Sequence, residues 1–133
     1  MASPLARGAA FADHADVAGS VLIVDDNARF RSRAKRWLEA SGFAVVAEAA
    51  DGRSALDATR EHRPAVVLLD VELPDMSGLA VAARLAREPD PPAVILTSTH
   101  DPADYGDRAA RCGARGFVPK AELSGQALSE LLA

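Results

Sequence analysis

No apolar run in this 133-residue chain approaches the roughly 20 residues that cross a bilayer. The N-terminus has an early arginine, Arg7, but no continuous apolar stretch behind it, so no secretory signal is read there. Cysteine is nearly missing: Cys112 stands alone, which excludes an internal disulfide and suits a reducing compartment. No thiol or histidine motif pairs with it, so Cys112 reads as a small buried side chain. A positive balance is also lacking. The formal net charge is −4, which disfavours unspecific binding to nucleic acid or to an anionic membrane. With these classes set aside, a cytoplasmic protein is expected. About half of the residues are apolar and a quarter charged, the balance of one globular domain with a sizeable core.

Residues 1–20 show no sustained period and read as an N-terminal extension, with a short docking helix over Ala9 to Val17 as the alternative. The domain is expected over 21–133. Val21 to Val24 is an apolar run ending in Asp25-Asp26. Phe30, Ala34, Trp37 and Leu38 then follow a 3.6-residue repeat that stops at Ser41-Gly42. Arg31, Arg33, Lys35 and Arg36 make this helix basic, which reads as a solvated outer face or as a docking surface. Phe43 to Ala47 is a strand, Asp51-Gly52 a turn, and Arg53 to His62 a helix.

Ala65 to Leu69, set off by Pro64, is a strand buried on both faces that ends abruptly in Asp70. After the turn at Pro74, Asp75 and Gly78, the residues Leu79, Ala82, Ala83 and Ala86 have helical spacing. Ala93 to Leu96 is a fourth strand with Thr97 and Ser98 at its end. His100-Asp101-Pro102 starts one helix, with Asp101 as cap and Tyr105, Ala109 and Cys112 on a shared face, closed by Gly113. Gly116 to Pro119 is a fifth strand running into Lys120, and Leu123, Ala127, Leu128 and Leu131 form the last apolar stripe. Five strands alternating with five helices imply an α/β three-layer sandwich on a parallel sheet.

In such a sheet all carboxyl ends lie on one edge, so Asp25-Asp26, Asp70, Thr97-Ser98 and Lys120 converge. Clustered carboxylates repel: two charges about 4 Å apart cost ~4 kcal/mol at an effective dielectric near 20. They call for a cation, and hard oxygen ligands of this kind suit Mg²⁺ together with a phosphate oxygen. With Lys120 as a second positive charge and Thr97 as a hydroxyl donor, the set fits phosphoryl transfer to a carboxylate. Taken singly, Asp25 or Asp26 reads as a helix cap, Thr97 as a strand end and Lys120 as a surface lysine.

The order V-L-I-V-D-D, V-V-L-L-D-V-E-L-P-D-M-S-G, V-I-L-T-S, G-F-V-P-K resembles the receiver domain of two-component response regulators, from Val21 to the C-terminus. The resemblance implies a flavodoxin-like fold with strand order 2-1-3-4-5. It implies Asp70 as phosphoacceptor from the phosphohistidine of a sensor histidine kinase or phosphotransfer protein. Asp25, Asp26, Asp70 and the main-chain carbonyl of Glu72 would hold Mg²⁺, and Thr97 and Lys120 would bind phosphoryl oxygens. Phe117 takes the position of a rotating aromatic switch coupled to Thr97, changing the face of the fourth helix, fifth strand and fifth helix for a downstream protein; simple core packing of Phe117 is the plainer alternative.

Two departures from the family pattern stand out. Ala121 replaces the usual proline after the lysine, so that bond is expected to be trans. Ser98 stands where a smaller residue is common, and its hydroxyl is expected to crowd or hydrogen-bond a phosphoryl group. Glu72 and Thr99 lie where the family tunes dephosphorylation. The expectation is a stand-alone receiver that catalyses only its own phosphorylation and dephosphorylation, without direct contact to nucleic acid or membrane; a homodimer is left open. The alternatives are a phosphorylation-independent binding module and an aspartyl-phosphate phosphohydrolase, the latter lacking any substrate-binding insertion.

Overall fold

The computed structural model describes residues 19–133; the expected extension lies almost wholly outside the described residues. Five strands form one parallel sheet: β1 (Ser20–Val24), β2 (Ala44–Ala49), β3 (Val66–Asp70), β4 (Ala93–Ser98) and β5 (Gly116–Pro119). Their order is β2-β1-β3-β4-β5. The helices between and after them are α1 (Ala28–Ala40), α2 (Gly52–His62), α3 (Gly78–Leu85), α4 (Asp107–Arg111) and α5 (Gly125–Leu132). This is the expected α/β sandwich with strand order 2-1-3-4-5.

The alternation of side chains along each strand divides the core in two. Leu22, Val24, Val67, Leu69, Val94 and Leu96 pack with Leu56, Leu79 and Val81 of α2 and α3. Val21, Ile23, Val66, Leu68 and Ile95 pack with Phe30, Ala34 and Leu38 of α1 and Leu128 of α5. Strands covered on both sides read as unbroken apolar runs for this reason. Cys112 is buried against the first of these clusters, and Tyr105 and Ala109 pack beside it. Among the described residues no helix is long and apolar enough to cross a membrane.

Four local expectations change. β2 extends to Ala49, because its pairing with β1 continues through Val24↔Ala49. Asp51-Gly52 is no separate turn: the Asp51 side chain accepts the Ser54 N–H and caps α2, whose first residue is Gly52. The single helix expected from Asp101 is broken. Pro102–Tyr105 forms a 3₁₀ turn, Gly106 adopts φ 59 and ψ −140, and α4 starts afresh at Asp107. That backbone region is costly for residues with side chains, so glycine there ends one turn and redirects the chain. Finally, Arg31 is no solvated side chain. Its Nε meets Glu48 of β2 at 3.0 Å, and its Nη1 donates to the Asp25 carbonyl at 2.6 Å. Arg33, Lys35 and Arg36 are exposed.

Candidate functional site

The sheet delivers Asp25, Asp70, Thr97 and Lys120 to its carboxyl edge because each follows or ends one of four neighbouring strands. The helix cap that Asp25 or Asp26 would serve singly falls to Asn27, whose side chain accepts the Phe30 N–H at 3.1 Å. Both aspartates are thereby released from capping. The Asn27 N–H instead donates to Asp25 Oδ1 at 2.9 Å and turns that carboxylate inward. Asp25 is fully buried, Asp70 is 6% exposed, and Asp26 is exposed at the mouth.

One carboxylate oxygen each from Asp25, Asp26 and Asp70 lies within 4.8 Å of the others. Lys120 Nζ reaches into this group, 2.6 Å from Asp25 Oδ2 and 3.4 Å from Asp70 Oδ2. The buried Asp25 Oδ2 has the Lys120 ammonium as its partner among the described residues. A buried anionic oxygen in that state, beside two further carboxylates, fits a hard divalent cation such as Mg²⁺.

Burial pushes the Asp70 carboxyl up to about 6; the Glu72 N–H, donating at 3.1 Å, opposes this, the Asp25 charge adds to it, and Lys120 works against it. Burial also disfavours the Lys120 ammonium, but the Asp25 and Asp70 carboxylates outweigh it and hold its pKa above the usual lysine range. The Phe30 ring of α1 lies beneath that ammonium, 4.5 Å from Nζ to its centroid.

The hydroxyl side of the site is arranged differently. Thr97 is fully buried, and its Oγ1 donates to the Val118 carbonyl of β5 at 2.8 Å, away from the carboxylates. Phe117 is half-buried, packed on the core cluster that includes Cys112 and against Tyr105, with ring centroids 5.9 Å apart. Ser98 Oγ is held by the Tyr105 hydroxyl at 2.8 Å and receives the His100 N–H at 3.0 Å. The Tyr105 hydroxyl also reaches Glu72 Oε2 at 3.3 Å, and His100 Nδ1 lies 3.1 Å from the same oxygen. Burial, partly countered by the Ser98 contact and reinforced by the Glu72 charge, raises the Tyr105 pKa. Every described peptide bond is trans, including the one before Ala121.

Sequence reasoning placed Tyr105 and Phe30 in the core and missed their second roles; the rim network of Glu72, Ser98, His100 and Tyr105 went unread. It also missed Asp75, whose carboxylate accepts the Gly52 and Arg53 N–H groups at 2.8 and 3.0 Å. Those bonds, the Gly52 one foremost, lower its pKa. A carboxylate five residues after Asp70, facing a helix start in the neighbouring unit, leaves no local signal in sequence.

The family model described as response regulator receiver domain matches residues 21–132. A solved structure of the signal receiver domain of NarL from Mycobacterium tuberculosis is 36% identical, with TM-score 0.77, covering 85% of this chain and 94% of that one. A two-component response regulator of the LuxR family from Aurantimonas sp. SI85-9A1 is 30% identical with TM-score 0.77, covering 85% and 84%. Among curated proteins, a protein-glutamate methylesterase/protein-glutamine glutaminase of Alkalilimnicola ehrlichii is 41% identical over 78% of this chain. The chain spans 28% of that relative and 52% of a Pseudomonas aeruginosa relative named as a transcriptional regulator.

Proposed function

The chain belongs to the response regulator receiver domain family, and from that premise we propose a phosphorylation-dependent signalling switch with Asp70 as the phosphoacceptor. The observation that carries this is the placing of Asp70 at the end of the central strand, one carboxylate oxygen on the Glu72 N–H and the other facing Lys120. The donor is a phosphohistidine on a sensor histidine kinase or phosphotransfer protein in the cytoplasm. Its P–N bond breaks as the Asp70 O–P bond forms, and the histidine nitrogen keeps the electron pair and takes a proton.

Asp25, Asp26 and Asp70, with the main-chain carbonyl of Glu72, are the residues that would hold Mg²⁺, which when bound neutralises charge on the phosphoryl oxygens. Lys120 already stands between two carboxylates and supplies a fixed positive charge to the same oxygens. Thr97 serves by giving up the Val118 carbonyl and donating to a phosphoryl oxygen. Phe117 then repacks, and the face of α4, β5 and α5 presents a changed surface to a downstream protein. The chain acts on itself and turns over no separate substrate.

Intact mass after incubation with Mg²⁺ and acetyl phosphate or phosphoramidate tests the proposal, with Asp70→Asn alongside. One acid-stable, base-labile phosphoryl adduct, absent from the variant, is expected. No adduct on the parent chain would overturn the proposal in favour of a phosphorylation-independent binding module. Sustained hydrolysis of a phosphate ester would overturn it in favour of a phosphohydrolase.

A further inference from the structure

The amino-terminal edge of the sheet, at the opposite end of β3 from Asp70, carries a groove of about 1000 Å³. Leu56, Pro64, Leu85 and Pro92 give it apolar lining, and the arginines at positions 60, 63, 84 and 87 stand around it. Four arginines at one opening are unexpected in a chain of net charge −4. Two have a local reason. Arg60 and Arg84 lie in the last turns of α2 and α3, where a cation complements the helix dipole.

Arg63 and Arg87 lie beyond those turns. Arg63 holds φ at +46, the left-handed region in which glycine would be less costly, and it is the one described non-glycine residue that does so. Arg63, Arg84 and Arg87 form no ion pair with any described residue, and Arg60 meets Asp57 at 3.7 Å with its side chain largely exposed. Exposed guanidinium groups with free forks bind carboxylates bidentately.

We propose that this groove docks an acidic, extended peptide segment of a partner protein, with an apolar side chain seated between α2 and α3. Three features favour a peptide over other anions. The lining contains no aromatic ring on which a base would stack. Glu88 and Asp90 also line the groove, and they repel a ligand that is negative along its whole length while tolerating a peptide of mixed charge. The apolar floor rewards a side chain that polyphosphate and a lipid headgroup do not have. Because the groove and Asp70 sit at opposite ends of β3, docking is independent of phosphorylation and belongs to partner choice.

Fluorescence anisotropy of a fluorescein-labelled octapeptide of mixed but net acidic charge, Leu-Glu-Glu-Lys-Leu-Glu-Asp-Lys, titrated with the full chain at low and high salt, tests this. Saturable binding is expected, weakened about tenfold by R63E/R87E and also by screening at high salt. Both arginines are exposed and outside the phosphoacceptor site, so acetyl phosphate labelling of the double variant should match the parent and report an intact fold. Absent binding, or binding unchanged in the folded double variant, overturns the proposal. Tighter binding of polyphosphate or of phosphatidylglycerol vesicles overturns it in favour of a plain polyanion site. Displacement of the probe at lower concentration by a peptide of residues 1–18 overturns it in favour of the chain's own segment.

Discussion

The carboxylate half of the site and its hydroxyl half are built to different degrees of firmness. On the β1–β3 side the two buried acids are fixed by main chain. The Asn27 N–H holds Asp25 and the Glu72 N–H holds Asp70. Arg31 ties the Asp25 carbonyl to α1, and Asp75 ties α2 to the loop after β3. The helices there run 13 and 11 residues. On the β4–β5 side the last strand has four residues and α4 has five, following a broken turn. Thr97 donates to one carbonyl, Ser98 shares a hydroxyl with Tyr105, and Phe117 is half-buried. The two buried acids are held by main-chain donors, whereas Thr97 has one side-chain hydrogen bond and Ser98 and Tyr105 are held by side-chain contacts at the rim. Two-state elements come from the low-stability part of a fold, and the proposed switch falls on the side with the short β5 and α4.

Two glycines give the largest contrast. A Cβ at Gly78 would overlap the Asp70 carbonyl oxygen and stand 2.8 Å from the Val71 Cα, all of it backbone under the acids. Gly78→Val should therefore cost about 3 kcal/mol or more. Gly106 has nothing within 4 Å of such an atom, so Gly106→Ala carries only the strain of its positive φ, about 1–2 kcal/mol. Urea unfolding of the two variants checks the order. A tolerated Gly78→Val would mean that the carboxylate half also yields, and the contrast would fail.

Asp70 gives an intermediate effect that depends on pH. Its carboxyl titrates near 6 in the folded chain against an ordinary value of 3.8, so the native state binds the proton more tightly than the unfolded one. A raised acid leaves stability intact below its unfolded pKa and removes it as pH rises through the folded value. Metal-free Asp70→Asn should thus be more stable than the parent at pH 7, by on the order of 1–2 kcal/mol, with the gain vanishing toward pH 4. Thermal unfolding in chelator between pH 4 and 7 measures it. An equal gain at both ends would show that packing, not ionisation, is what the variant changes.

How far the sequence reaches follows the same division. β1, β3 and β4 were legible because strands covered on both sides must be unbroken apolar runs, and the acids at their ends stood out against those runs. The strand order entered through the resemblance to receiver domains, since alternation alone implies parallel units but not their sequence across the sheet. What escaped reading is made of contacts distant in the chain. Tyr105 meets Glu72 across 33 residues and Asp75 meets Gly52 across 23, so no local period or cap signal marks them. Gly106 was read as helix interior because glycine at a break and glycine inside a helix look alike without the backbone angles.

The smallest expected effect lies in the rim. Tyr105→Phe keeps the ring that packs on Phe117 and removes the hydroxyl that holds Ser98 and Glu72. A single net hydrogen bond at a half-buried position contributes about 0.5–1.5 kcal/mol. Ser98→Ala removes the same contact from the other side. A double-mutant cycle of the two, read by urea unfolding, should then return a coupling of at least roughly 0.5 kcal/mol. Such a coupling would make the hydroxyl pair a contact that the proposed repacking of Phe117 and α4 has to break. Additive variants would instead leave the ring stack to hold Tyr105, and the hydroxyl half would be fixed by packing much as the carboxylate half is fixed by main chain.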